Sequence, residues 1–82
     1  MKYFCTTDLI WLTAVNARGH QPGNVTQAWV DIIKHPSRDE WAACIPDDYL
    51  PRISEILSES ELAEVTSGLK TVEQMNAEGW NL

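Results

Sequence analysis

Residues that interrupt helices recur at short intervals along this chain. Its four prolines and four glycines divide it into segments, because proline lacks the amide that a helix interior needs and glycine favours the conformation that ends a helix. Between these interruptions, apolar residues repeat with the helical period of about 3.6 residues. The sequence therefore predicts an all-α fold, a bundle of five to six short helices in a single domain spanning residues 1–82.

Capping residues set the limits of the predicted helices. Ser37 precedes Glu40, and Thr71 precedes Gln74, at the spacing of a capping box. The expected helical segments are 8–17, 24–34, 37–44, 49–58, a segment ending at 68 and a segment from 71 to 79. Segment 8–17 has apolar residues around most of its circumference, so we expect it to be central. Only residues 1–5 could form a strand, and a lone strand has nothing to pair with.

Tryptophans are the largest candidates for the core. Trp29 and Ile32 lie at the centre of the apolar face of segment 24–34, so both are predicted to be core residues. Trp80 either closes the bundle as a core residue or anchors an interface as an exposed aromatic residue. Since a domain of this length buries a limited share of its surface, the core interpretation is favoured.

The cysteine content indicates a reducing compartment. Cys5 and Cys44 are the two cysteines, whereas small secreted domains usually carry more of them at tight spacings. We therefore predict reduced, buried thiols in a cytoplasmic protein. No apolar run approaches the ~18 residues that a membrane-spanning helix requires, so we expect no membrane association.

No group of residues in the sequence forms a complete catalytic or metal site. Asp31 and His35 have the spacing of metal ligands, with Cys44 as a conceivable third, but a zinc site needs a fuller ligand set. No oxyanion framework flanks either cysteine. The carboxylate pairs at 39–40 and 47–48 stand where helices are predicted to begin, so they are expected to cap those helices. The sequence predicts no catalytic residue, no cofactor and no metal, and hence a function other than catalysis.

Negative charge is concentrated in the C-terminal part of the chain. Residues 1–46 contain four acidic and four basic residues, whereas residues 47–82 contain eight acidic and two basic residues. The acids of the second part fall at positions that the apolar period leaves exposed. They form either a solubilising surface or one that docks on a basic patch of a protein or nucleoprotein complex. The residues predicted to bind such a partner are Asp47, Asp48, Glu55, Glu59, Glu61 and Glu64.

Residues 57–80 resemble the small helix-turn-helix modules of prophage-encoded proteins. The resemblance rests on the run Leu-Ala-Glu-Val-Thr at 62–66, on Gly68 at the turn, and on Gln74 and Gly79 near the end. It implies a DNA-binding or DNA-packaging accessory protein that uses these residues. Because acidic side chains occur where a recognition helix should carry basic ones, we expect no direct binding of nucleic acid.

In overall type the chain resembles the small acidic inhibitor proteins that phages encode, anti-CRISPR proteins among them. The first hypothesis is therefore a non-enzymatic regulator or inhibitor that binds stoichiometrically to a basic surface of a protein or nucleoprotein complex. The alternative hypothesis is a helix-turn-helix protein that binds or packages DNA through residues 57–80. The two differ in a measurable property, because binding to bare duplex DNA weakens steeply with salt.

Overall fold

The fold combines a sheet with short helices. A computed structural model describes residues 1–18 and 31–82 of the chain. The elements of these residues follow the order β1 (Lys2–Thr6), α1 (Leu9–Arg18), β2 (Asp31–Lys34), β3 (Trp41–Ile45), a 3₁₀ helix (Leu50–Glu55), α2 (Glu59–Ser67), β4 (Leu69–Lys70) and α3 (Val72–Ala77).

The four strands form one antiparallel sheet in the order β2–β3–β1–β4. The central strands β1 and β3 pair along their whole length, from Lys2 opposite Ile45 to Thr6 opposite Trp41. β3 lies between β1 and β2 in the sheet, with α1 between those two strands in sequence; β1 lies between β3 and β4 in the sheet, with α2 between them in sequence. This is the split β-α-β arrangement of ferredoxin-like sheets.

The prediction of an all-α bundle is wrong, and β3 is the main reason. Four of its five residues, from Ala42 to Ile45, are buried. A strand that is covered on both faces presents a continuous apolar run without alternation, which a short buried helix also presents. Ser37 caps no helix: its amide donates to Nδ1 of His35 at 3.1 Å, in the turn that joins β2 to β3.

The predicted helix over 24–34 is also wrong where the structure describes it, because Asp31–Lys34 forms the edge strand β2. Ile32 and Ile33 are both partly buried but pack against different core clusters, as neighbouring residues of a strand must. In a helix the same two residues would share a broad apolar face, so the pattern favoured the wrong element. The rest of the segment, including Trp29, lies outside the described residues.

Three predicted helices are confirmed, as α1, α2 and α3. Capping boxes form at the start of α2, between Ser58 and Glu61, and at the start of α3, between Thr71 and Gln74. Segment 49–58 contains a 3₁₀ helix instead of an α-helix. The expectation that α1 is central is wrong, since Ile10 is 85% exposed. Residues 1–5 do find partners, because β1 pairs with both β3 and β4.

A core cluster lies on each face of the sheet. The first cluster joins the sheet to α1, the 3₁₀ helix and α2, and its buried members are Phe4, Leu12, Val15, Ala43, Ile45, Tyr49, Ile53, Ile56 and Val65. The second cluster joins the opposite face to α3 and the residues after it, and its buried members are Tyr3, Ala42, Cys44, Met75 and Trp80. Alternation along β1 and β3 separates the two sets, as the period of two in a strand requires.

The structure bears on three expectations from the sequence, which concern Trp80, the two cysteines and membrane-spanning helices. Trp80 is 4% exposed, which confirms its assignment to the core. Both cysteines are free thiols; Cys44 is buried and Cys5 is partly buried. In residues 1–18 and 31–82, no helix is both long enough and apolar enough to cross a membrane.

Candidate interaction surface

Most of the positive charge of the chain is engaged in ion pairs. Five of the six lysine and arginine side chains lie within 4.0 Å of a carboxylate. The pairs are Arg18–Glu61, Lys34–Asp39, Arg38–Glu40, Arg52–Glu55 and Lys70–Glu78. Neighbouring acids therefore offset these five cations, so little positive charge is left unpaired on the surface.

Half of the twelve acids have no ion pair, once the pair between Asp47 and the amino group of Met1 is also counted. Across the two described ranges, the carboxylates without an ion pair are those of Asp8, Asp31, Asp48, Glu59, Glu64 and Glu73. The last four belong to residues 47–82, and all four are exposed. Glu59 and Glu64 lie on α2, and Glu73 lies in the first turn of α3. Four acids of the C-terminal part are thus unpaired and in contact with solvent.

The six residues predicted to bind a partner have three different environments. Asp48, Glu59 and Glu64 are exposed and belong to the unpaired group. Asp47 accepts a hydrogen bond from the amino group of Met1, which lowers the pKa of its carboxyl. Glu55 accepts from Arg52 through both carboxylate oxygens, at 3.2 Å each. These two acids are exposed but already have cationic partners. The sixth residue, Glu61, differs from all the others.

Glu61 joins α1 to the start of α2. Its Oε1 accepts from Nη1 of Arg18 at 2.8 Å and from the amide of Ser58 at 2.8 Å, and its Oε2 accepts from Nε1 of Trp11 at 2.9 Å. The side chain of Glu61 is only 19% exposed. The Arg18 guanidinium foremost, with the amide of Ser58 and the indole of Trp11, lowers the pKa of Glu61 to about 2. Three donors of the chain itself thus already occupy this carboxylate, which connects α1 to the start of α2.

The sequence contained one signal for this role of Glu61. Ser58 and Glu61 have the spacing of a capping box, in which the acid bends back to the amide of the capping residue. Trp11 and Arg18 could not be foreseen as partners, because they precede Glu61 by 50 and 43 residues. Local periodicity identifies an outward position on a helix, but it does not show what the rest of the chain places against it.

The residues considered for chemistry are held in structural contacts. Both ring nitrogens of His35 have backbone partners, the amide of Ser37 and the carbonyl of Glu78. Burial raises the pKa of Cys44 to about 11 and also raises the pKa of Cys5, so neither thiol is activated as a nucleophile. No three histidine, cysteine or acidic residues of the described ranges are grouped to hold a metal ion.

A small apolar cavity lies between α1 and the sheet. Its volume is about 30 Å³, and Phe4, Val15 and Ile45 are among its walls. Asn16 also lines it, and Oδ1 of this residue is buried without a hydrogen-bond partner. Ligand pockets typically measure about 300–1,000 Å³, whereas this space is comparable to one or two water molecules. The cavity is therefore a packing void and not a small-molecule site.

A second cluster of polar contacts, around His35, was not predicted from the sequence. This side chain is 4% exposed and packs edge-to-face on Trp80, with ring centroids 4.9 Å apart. His35 precedes a proline, which predicted only that a helix should end there. The contact joins the β2–β3 turn to the C-terminal residues.

Comparisons with known proteins add no relative to this description. No protein-family model matches the chain, and the searches of curated proteins and of solved structures found no match.

Proposed function

We propose that this chain is a non-enzymatic regulator or inhibitor that binds stoichiometrically to a basic surface of a protein or nucleoprotein complex. One observation carries the proposal: five of the six lysine and arginine side chains are engaged in ion pairs, while Asp48, Glu59, Glu64 and Glu73 are exposed and unpaired. Such a function matches that of the small acidic phage-encoded inhibitors, anti-CRISPR proteins included, which the chain resembles in type.

The outer surface of α2 is the centre of the proposed contact. Glu59 and Glu64 are exposed there, whereas Val65 of the same helix is buried in the first core cluster. Unpaired carboxylates attract a basic partner over a distance of about 8 Å at physiological salt, which raises the association rate. The same field repels the phosphates of nucleic acid, so the proposal favours a basic protein surface over bare DNA.

Paired charge reversals test this proposal. The test variant carries Glu59→Lys and Glu64→Lys, and the matched control carries Asp31→Lys and Asp39→Lys on exposed residues of the β2–β3 region. Both variants change the net charge equally. Each is titrated, at low and high salt, against the partner that affinity capture from host lysate identifies. We expect the α2 variant to bind more weakly, chiefly through slower association, and the control to bind like the wild type.

Other outcomes would contradict the proposal. Equal loss of affinity in both variants would mean that only the total charge matters, and unchanged affinity in both would make the acidic surface a solubilising one. Glu61 is left out of the test variant, because its reversal would disrupt the contacts with Arg18 and Trp11. Salt-sensitive binding of the wild type to bare duplex DNA would instead support the helix-turn-helix hypothesis for residues 57–80.

A further inference from the structure

The side of α1 that faces away from the sheet is apolar and exposed. Four exposed residues form this surface, here called the α1 outer face: Ile10, Thr13, Ala14 and Ala17. Their spacing of three, four and seven positions places them in one row along the helix. Ile10, at 85% exposed, is the most exposed of the large apolar side chains that the structure describes. The buried residues Leu12 and Val15 lie on the opposite side of α1.

The α1 outer face can be covered without breaking a hydrogen bond of the chain. Burial of a polar group costs free energy when the group loses its hydrogen bond. The side chains of isoleucine and alanine have no such group. The hydroxyl of Thr13 donates to the carbonyl of Leu9 at 2.7 Å, within the same helix. An apolar surface of another molecule can therefore pack here at little polar cost.

Charge is absent from this face, in contrast to the acidic surface around α2. Residues 9–18 contain no acid, and their one base, Arg18, binds Glu61 at 2.8 Å. The chain has a net charge of −6, so two copies repel each other where their exposed acids meet. A second copy therefore meets less repulsion at the α1 outer face than at α2, where Glu59 and Glu64 are unpaired.

The row of residues is also complementary to itself. Its large residue, Ile10, and a small residue, Ala17, are two helical turns apart, about 10.5 Å. When two copies of α1 pack antiparallel about a two-fold axis at the centre of the row, each Ile10 lies against Ala17 of the other copy. A two-fold interface makes every contact twice. The same packing brings Asp8, which is exposed and has no ion pair, to the end of the other helix that carries Arg18.

We propose that the α1 outer face binds a second copy of this chain, and that the two copies pair through antiparallel α1 helices. The contact is small, because a helix of ten residues is about 15 Å long. Interfaces that bury less than about 1,200 Å² are weak or transient, so the dimer should form at about 0.1–1 mM. Glu59 and Glu64 take no part in it, so it does not depend on the proposed binding to a basic partner.

Sedimentation equilibrium of the wild-type chain between about 10 μM and about 1 mM tests the pairing. The average mass should rise toward that of a dimer. Ile10→Glu should abolish the rise, because it places a carboxylate in each of the two apolar contacts. The matched control, Val72→Glu, adds the same charge at an exposed apolar residue outside α1 and should dimerise like the wild type. Added salt should not weaken the dimer, whereas it should weaken binding to a basic partner.

An exchange of the large and the small residue tests the antiparallel arrangement. Ile10→Ala should weaken the dimer because the isoleucine is lost. Ala17→Ile should also weaken it, because two isoleucines then oppose each other in each contact. The double variant Ile10→Ala/Ala17→Ile restores the pairing of a large with a small residue, so it should dimerise like the wild type.

Several results would overturn the proposal. They are a wild-type chain that stays monomeric at about 1 mM, a dimer that survives Ile10→Glu, and a double variant that does not recover. Thermal melts at low concentration provide a further check. Since Ile10 is exposed, Ile10→Glu should keep the Tm of the wild-type monomer. A lower Tm would mean that the chain itself covers this face, and it would equally overturn the proposal.

Discussion

Truncation of two isoleucines provides a direct test of where the core lies. Ile45, at the end of β3, is 2% exposed and belongs to the first core cluster, whereas Ile10 of α1 is 85% exposed. Ile45→Ala and Ile10→Ala remove the same atoms, so any difference between the variants reflects their surroundings. A central α1 within a helical bundle would have required the opposite ranking, with Ile10 in the core.

The expected cost of Ile45→Ala follows from its burial. Loss of three buried carbons costs about 2.4 kcal/mol at about 0.8 kcal/mol each, and the cavity left behind places the total within about 2–5 kcal/mol. For 82 residues the whole free energy of unfolding is about 4–12 kcal/mol. A loss of about 3 kcal/mol should lower the Tm by about 12–24 °C. Ile10→Ala should change stability by less than about 0.5 kcal/mol.

Urea unfolding followed by far-ultraviolet circular dichroism, together with thermal melts, measures both variants beside the wild type. The unfolding midpoint of Ile45→Ala should fall while the slope of the transition stays unchanged, because the surface exposed on unfolding is nearly the same. Equal midpoints for Ile45→Ala and the wild type, or a larger loss in Ile10→Ala, would refute the placement of the core between the sheet and α1.

Two further expectations concern acid stability and thiol reactivity. The pKa of Glu61 falls from 4.5 to about 2 on folding, so its contribution to stability is complete above about pH 4.5 and is lost as the pH falls toward 2. Glu61→Gln should therefore unfold at a lower urea concentration than the wild type at neutral pH, with the difference shrinking in acid. With a thiol reagent at mildly alkaline pH, mass spectrometry should find Cys5 modified before Cys44, which is more buried and has a pKa of about 11.

Sequence reasoning succeeded where a structural feature is encoded within a few residues. The capping box predicted at Thr71 and Gln74 occupies four consecutive residues and formed at the start of α3, whereas the same spacing at Ser37 and Glu40 started no helix. α1, which was also predicted, begins at a local contact too, because Asp8 accepts from the amide of Trp11 at 3.0 Å. These contacts depend little on the remainder of the chain.

The strands were missed because their evidence is distributed along the chain. Trp41–Ile45 is a strand because β1 lies on one side of it and β2 on the other, and β1 is distant in sequence. Its apolar run is equally compatible with a buried helix. In β2, the adjacent apolar residues Ile32 and Ile33 were likewise compatible with either a helix or a strand. Helix assignment by period therefore fails for strands whose two faces are both covered.

The charge distribution of the sequence identified several exposed acids, but it did not show which acids have cationic partners. The concentration of acids in residues 47–82 is a property of the sequence, and it identified Asp48, Glu59 and Glu64, which the structure places at the surface. Which acids have cationic partners depends on the tertiary fold. Glu61 binds Arg18 from α1, so one of the six predicted residues belongs to the interior contacts.

The two kinds of acid on α2 should therefore respond differently to salt. Glu59 and Glu64 interact with a partner through solvent, where salt at physiological concentration screens charges beyond about 8 Å. Glu61 contacts Arg18 directly at 2.8 Å while only 19% exposed, and short, partly buried pairs are screened much less. Moderate salt thus weakens attraction to a partner at concentrations that leave the α1–α2 contact in place. A loss of binding with added salt, at constant circular dichroism, reports on the surface and not on the fold.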